Sequence, residues 1–253
     1  MHIEQGPVLD GTGERIGVVS DIVGNDRTRD YVIRREFGFA EGDAYNRVLV
    51  DRVERRLRNL GIFDGVAIIE QRGSAADQVV LVVMVEERRT GQVSATAGYS
   101  TADGVLGEVS LEEANFLGRG QYLRVAFSIG RSSRNYSVSF TEPYFLGRHL
   151  PIGFDVFRRE AQATASRPFS QTQTGGAVRL GIPLTDRLTA QLSYRLVTDT
   201  ITADPDYTLP PFYTEGTTVT SSVAYGFTFS TVDNINDPRR GIYMRLNQEF
   251  AGV

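Results

Sequence analysis

Few residues in this chain could carry out chemistry on a substrate. The only histidines are His2 and His149. His2 lies in the opening "MHIEQGPVLD" and His149 in a turn beside Pro151, so neither has the neighbours that a triad or a metal site requires. The absence of cysteine removes disulfides, thiolate zinc sites and cysteine nucleophiles together. Glu112 and Glu113 are adjacent, and on a strand consecutive side chains point to opposite faces, so they cannot act as a paired acid and base. "GTGERIG" from Gly11 has the glycines of a phosphate loop, but it precedes a strand and its spacing is wrong. "DNINDPRRG" is acidic like a calcium loop, yet Ile235 stands where a second oxygen ligand is needed, and its Asn, Asp, Pro and Gly are turn residues. The reading is of a protein that is not an enzyme, with no catalytic residue, no metal and no cofactor.

Composition narrows the class further. A formal charge of −4 leaves no basic footprint for nucleic acid. With 41% hydrophobic residues the chain is not of the disordered type. No apolar run approaches the roughly 18 to 20 residues of a membrane helix, and the N-terminus lacks a signal sequence. A membrane β-barrel stays open, because its strands alternate and never form a long apolar run.

The elements fall into two halves. Residues from about Gly13 to Glu87 predict a small α+β domain in the order β-α-α-β-β. "ERIGVVSDIVG" is its opening strand. Asn25 and Asp26 stand where a helix could be capped, and "TRDYVIRREF" follows with Val32, Ile33 and Phe37 on one side. In "AYNRVLVDRVERRLRNLG", Leu49, Val53, Leu57 and Leu60 form an apolar stripe, and Gly61 sits where a helix end favours a left-handed residue. The other face carries Arg47, Arg52, Arg55, Arg56 and Arg58 with Asp51 and Glu54 interspersed, a solvated face more than a nucleic-acid surface. "FDGVAIIEQ" and "DQVVLVVMVEE" make a strand pair around "RGSAA".

From Thr90 the helical period disappears, and alternating segments of about ten residues run to the end, about nine strands in all. Val93, Ala95, Ala97 and Tyr99 alternate with Gln92, Ser94, Thr96 and Gly98; Leu123, Val125, Phe127 and Ile129 alternate with Tyr122, Arg124, Ala126 and Ser128. Alternation suits a soluble sandwich or a membrane barrel. Strand length, the contrast between the long "TDTITADPDYTLPPFYTEG" and the short "PLTDR", and aromatic residues near strand ends favour the barrel. The lack of tryptophan and the short early loops "STADG" and "GRSSR" count against it. In "NDPRRGIYMRLNQEFAGV", the final strand, Ile242, Met244 and Leu246 are expected to face lipid and Arg245, Asn247 and Glu249 the lumen.

The ordered set of motifs resembles a known family. "GNDRTRDYVIRREFGFAEGDAYNRVLVDRVERRLRNLGIFDGV" is similar to a polypeptide-transport-associated (POTRA) domain. It leads into "TGQVSATAGYSTADG", "EANFLGRGQ", "TEPYFLGR" and "DPRRG", which in that order resemble the opening barrel strands and periplasmic turns of the BamA-type outer-membrane protein assembly factors. The resemblance implies that residues 1–12 end a preceding transport-associated domain, 13–89 form one such domain, and 90–253 form the first part of an antiparallel transmembrane β-barrel of about sixteen strands. The family's later loop with an arginine-glycine-phenylalanine motif, and its final strand, have no counterpart here. The strand at the end of "RRGIYMRLNQEFAGV" is therefore expected to leave a second exposed edge.

The same resemblance implies a Gram-negative outer-membrane location with the N-terminal domain in the periplasm. It also implies a function in assembling and inserting barrel proteins, and three partners: unfolded outer-membrane protein clients, accessory lipoproteins and outer-membrane lipid. The client-templating seam would be the strand Gly91, Gln92, Val93, Ser94, Ala95, Thr96, Ala97, Gly98, Tyr99 and Ser100. Contact with a helical accessory lipoprotein would involve Arg34 and Glu41, although Glu41 can equally be a solvated or capping residue. A TamA-like assembly factor or a two-partner secretion transporter would share this architecture, and a soluble β-sandwich binding module is the distant alternative.

Overall fold

The computed structural model describes residues 15–40, 42–73, 78–100, 104–164, 167–185, 187–203, 214–232 and 239–252. They fall into two compact units, one of residues 1–90 joined by Ala114–Gly120, the other of Gly91–Glu113 and Gln121–Val253.

The first unit runs β1 (Arg15–Val23), α1 (Asp30–Arg34), α2 (Arg47–Asn59), β2 (Phe63–Arg72) and β3 (Gln78–Glu87). Its sheet has the order β1-β3-β2, with β1 parallel to β3 and β2 antiparallel to it. In α2 the Asn46 side chain accepts from the Val48 N–H at 2.9 Å, satisfying one of the donors that a helix start leaves over. Just past the helix C-cap Leu60, Gly61 has φ of +70°, the left-handed conformation that the sequence anticipates. The buried stripe differs slightly from the expected one. Val50, Val53 and Leu57 are buried, while Leu49 and Leu60 are only half-buried at its margins. Together with Val32, Ile33, Leu81 and Val83, these side chains form the core. Burying Leu57 alone is worth about 1.5–3 kcal/mol.

The first helix departs further from expectation, because α1 spans only Asp30–Arg34 and its N-cap is Arg29, with no side-chain cap. Asn25 does not cap it. Its Nδ2 instead donates to the Thr28 carbonyl at 3.0 Å and to Asp30 Oδ1 at 2.7 Å, bracing the loop that leads into the helix.

The second unit is a nine-stranded antiparallel sheet in sequential order. Its strands are β4 (Gly91–Ser100), β5 (Gly104–Phe116), β6 (Gln121–Gly130), β7 (Ser133–Glu142), β8 (Ile152–Ala161), β9 (Phe169–Pro183), β10 (Leu188–Ala203), β11 (Gly216–Ser230) and β12 (Tyr243–Ala251). Among the described residues the sheet is open, with β4 and β12 at its two ends.

Register turns the alternation of the sequence into two faces. One row crosses from β6 to β12 as Leu123, Phe140, Phe154, Val178, Tyr194, Val223 and Phe250. The next row, one residue along, is Arg124, Ser139, Asp155, Ala177, Arg195, Ser222 and Ala251. A soluble sandwich would bury the first face against a second sheet. Here Val156 is 61% and Val219 62% exposed, and among the described residues every buried hydrophobic one but Phe169 lies in the first unit. A broad apolar surface of this kind belongs against lipid.

Candidate functional site

The seam residues named from sequence form one element, since β4 begins at Gly91 and ends at Ser100. Pairing with β5 runs without a break from Gly91 opposite Glu113 to Ser100 opposite Gly104. The other side of β4 has no strand beside it among the described residues. An edge strand presents unpaired N–H and C=O groups, a template for another chain. On one face β4 carries Val93, Ala95, Ala97 and Tyr99, of which Val93 and Tyr99 are 73% and 76% exposed. On the other it carries Gln92, Ser94, Thr96 and Gly98, and Gln92 Nε2 donates to Ser94 Oγ at 3.3 Å. A side-chain atom added at Gly98 would meet nothing within 4 Å. With so little side-chain packing, β4 contributes weakly through cross-strand pairs and mainly through its backbone.

The polar face of the sheet is laced with charge and hydrogen bonds. Arg179 forks onto Asp155 at 2.5 and 3.1 Å, Gln171 donates to both oxygens of Asp199, and the Ser222 hydroxyl donates to Glu249 at 2.6 Å. This is the chemistry of a wet interior beside an apolar exterior. Arg245, Asn247 and Glu249 line the polar side of β12, while Met244 and Leu246 pair with Phe229 and Phe227 on the apolar side.

The other pair named from sequence is only partly in view. Arg34 closes the last turn of α1, and Glu41 lies outside the described residues.

The structure also assembles a site that sequence reasoning missed. Thr28 is 2% exposed, and its polar groups are engaged on several sides. Its N–H donates to Glu87 Oε1 at 2.6 Å, its carbonyl accepts from Asn25, and its Oγ1 accepts from Asn115 Nδ2 at 2.9 Å. The neighbouring Arg27 N–H also donates to Glu87, at 3.0 Å. Burial pushes the Glu87 carboxyl up, but hydrogen bonds from the Thr28 side chain and from the Thr28 and Arg27 backbones, with the Arg27 charge, outweigh it and hold the group below its ordinary value. Asn115, near the end of β5, lies in the segment Ala114–Gly120 that groups with the same unit, and its Oδ1 accepts from the Gly120 N–H at 2.7 Å. The Arg29 N–H donates to the Gly118 carbonyl at 2.8 Å. Gly118 has φ of +71°, and a Cβ there would collide with the Arg27 carbonyl, so only glycine fits this close approach. The available signals were an acid ending a strand, a threonine after "GND" and an asparagine before "FLG". Each has an ordinary local reading, which is why the cluster stayed hidden.

Comparison with known proteins gives this arrangement a family. Residues 115–253 match the Omp85 superfamily domain, and residues 20–88 match a POTRA family described as a surface antigen variable number repeat. Among curated relatives, the outer membrane protein assembly factor BamA of Neorickettsia risticii is 32% identical over 92% of this chain and 32% of its own length. The protein of the same name from Neisseria meningitidis is 28% identical over 77% of this chain and 25% of its own length. The chain thus spans about a third or less of the length of these relatives. Among solved structures, BamA from Haemophilus ducreyi lacking POTRA domains 1–3 aligns over 91% of this chain and 47% of that one, with a TM-score of 0.69 at 22% identity. CdiB from Escherichia coli aligns over 94% of this chain and 45% of that one, with a TM-score of 0.59 at 15% identity. At these identities the structural likeness speaks to the fold. The match over more than half of the chain, a transport-associated domain leading into an antiparallel sheet, places it by family: the chain belongs to the Omp85 superfamily.

Proposed function

We propose that this chain is the part of an outer-membrane protein assembly factor that receives unfolded barrel proteins at its periplasmic domain and pairs their strands at β4. The location is that of the family, the outer membrane with the transport-associated domain in the periplasm. The named relatives are outer membrane protein assembly factors. The observation that carries the mechanism is the edge strand of small residues, Gly91–Ser100, at one end of a sheet whose apolar face suits lipid.

In the bilayer each unpaired backbone group costs several kcal/mol, so an edge strand there seeks a partner. An incoming client strand supplies that partner through main-chain hydrogen bonds, which are indifferent to client sequence. Short side chains at Ala95, Ala97 and Gly98 keep any fixed pairing weak enough to be exchanged. The apolar face would meet outer-membrane lipid. Arg34 and Glu41 would meet an accessory lipoprotein, and a Glu41→Lys variant that still binds the accessory subunit normally would remove that assignment.

The test is a photo-crosslinker at Ser94 or Thr96 in the full-length protein, presented with a stalled barrel precursor. Adducts to the precursor are expected from both positions. Their absence in an otherwise active protein would overturn the templating role, and adducts confined to one secreted substrate would favour a secretion transporter of the same superfamily.

A further inference from the structure

The cluster around Thr28 joins two stretches of chain that flank the β4–β5 hairpin in sequence. Glu87 lies just before Gly91, where β4 begins, and Asn115 lies in the last residues of β5. Both hold the same buried threonine, Glu87 through the N–H and Asn115 through the hydroxyl. We propose that Glu87, Thr28 and Asn115 form a clasp that anchors both ends of the β4–β5 hairpin, making them positioning residues for the pairing of client strands. This rests on the reading of β4 as the client-pairing strand.

The physical case is one of order. An edge strand templates a partner only if its register is fixed, because a slip of one residue exchanges the apolar and polar faces. Most side chains of β4 are short, and Val93 and Tyr99 are largely exposed, so packing does little to fix it. Anchoring the hairpin at both bases restricts it without adding packing along the edge that a client must use. Thr28 suits the task because it is buried and its N–H, carbonyl and hydroxyl are all engaged, so movement of either stretch leaves a desolvated polar group unmatched.

The chain supplies its own control. "FLGR" occurs twice, at Phe116–Arg119 and Phe145–Arg148. Both copies share the left-handed φ values at their centre, Leu117 and Gly118 at 55° and 71° and Leu146 and Gly147 at 54° and 72°. Only the first copy is seated. A Cβ at Gly118 would strike the Arg27 carbonyl, whereas at Gly147 it would meet nothing within 4 Å. The intrinsic cost of placing alanine at positive φ is therefore shared by the two sites, and the difference between them reports the seating.

The experiment uses the full-length protein in bilayers, with hydrogen exchange at the Arg29 amide and the Ser94 crosslink to a stalled precursor as readouts. Gly118→Ala and Asn115→Ala are expected to speed Arg29 exchange at least about tenfold and to reduce the crosslink, with the Val83 amide in β3 unchanged. Gly147→Ala is expected to leave both readouts at wild-type values. Thr28→Val is expected to behave like Asn115→Ala, and Thr28→Ser, which keeps the hydroxyl, like the wild type. Should Thr28→Val unfold the domain, the turn variants still decide. Unchanged Arg29 exchange in Asn115→Ala and Gly118→Ala would overturn the clasp. Faster exchange with a full crosslink yield would overturn its positioning role. A wild-type protein with a protected Arg29 amide and no crosslink would instead overturn the reading of β4.

Discussion

Glu87 takes two backbone N–H groups and the Thr28 hydroxyl, a set of donors that favours the charged carboxylate over the neutral acid. Its folded value lies below the ordinary 4.5. A depressed acid of this kind contributes stability that is full above its unfolded value and is lost as pH falls through the folded one. Protection of the Arg27 and Thr28 amides, corrected for intrinsic exchange, is therefore expected to be flat from neutrality to about pH 5 and to decline below that. Glu87→Gln should abolish the pH dependence and show the low protection at every pH. Protection that rises on acidification would mean that the carboxylate strains the loop instead of holding it.

At the scale of the elements, α2 and β4 are opposites. Helix α2 is fixed by burial. Leu57 is completely buried and packs against the sheet, so Leu57→Ala is expected to cost about 2–5 kcal/mol, read as a shift in the denaturation midpoint of the periplasmic domain while the membrane sheet stays folded. Strand β4 is fixed by its backbone and by its two ends. This contrast also explains what was legible in the sequence. Alternation of side chains along β4 to β12 is written locally at period two, and the left-handed residue after α2 is written locally too, as the glycine at position 61. The shortness of α1 was not legible, because Asn25 braces the preceding loop through the Thr28 carbonyl and Asp30 instead of capping the helix. Nor was the Thr28 cluster, whose members are separated by 59 and 87 positions and are joined only by the fold. A bond across such separations leaves no periodic trace in the sequence.

At the scale of the whole molecule, the two units solve opposite solvation problems. The periplasmic domain buries its apolar side chains around Leu57 and Leu81, and the sheet displays its apolar side chains on one face. Water would make that display unstable, and lipid makes it favourable. The consequence is an asymmetry between neighbouring rows. Val156, 61% exposed, stands opposite Val138 on the apolar face, whereas Ser137 stands opposite Phe157 and Ala126 on the polar one. Val156→Arg places a charge in hydrocarbon and should cost about 2–4 kcal/mol near the bilayer midplane, lowering the resistance of the full-length protein to urea in vesicles. Ser137→Arg places the same charge among Glu108, Ser139 and Arg159 on the wet side and should cost much less. Equal effects would mean that the apolar rows are covered by protein, and the sheet would then be one layer of a soluble assembly. A large loss confined to Val156 ties the alternation in the sequence to the bilayer, and with it the demand for a partner along the β4 edge.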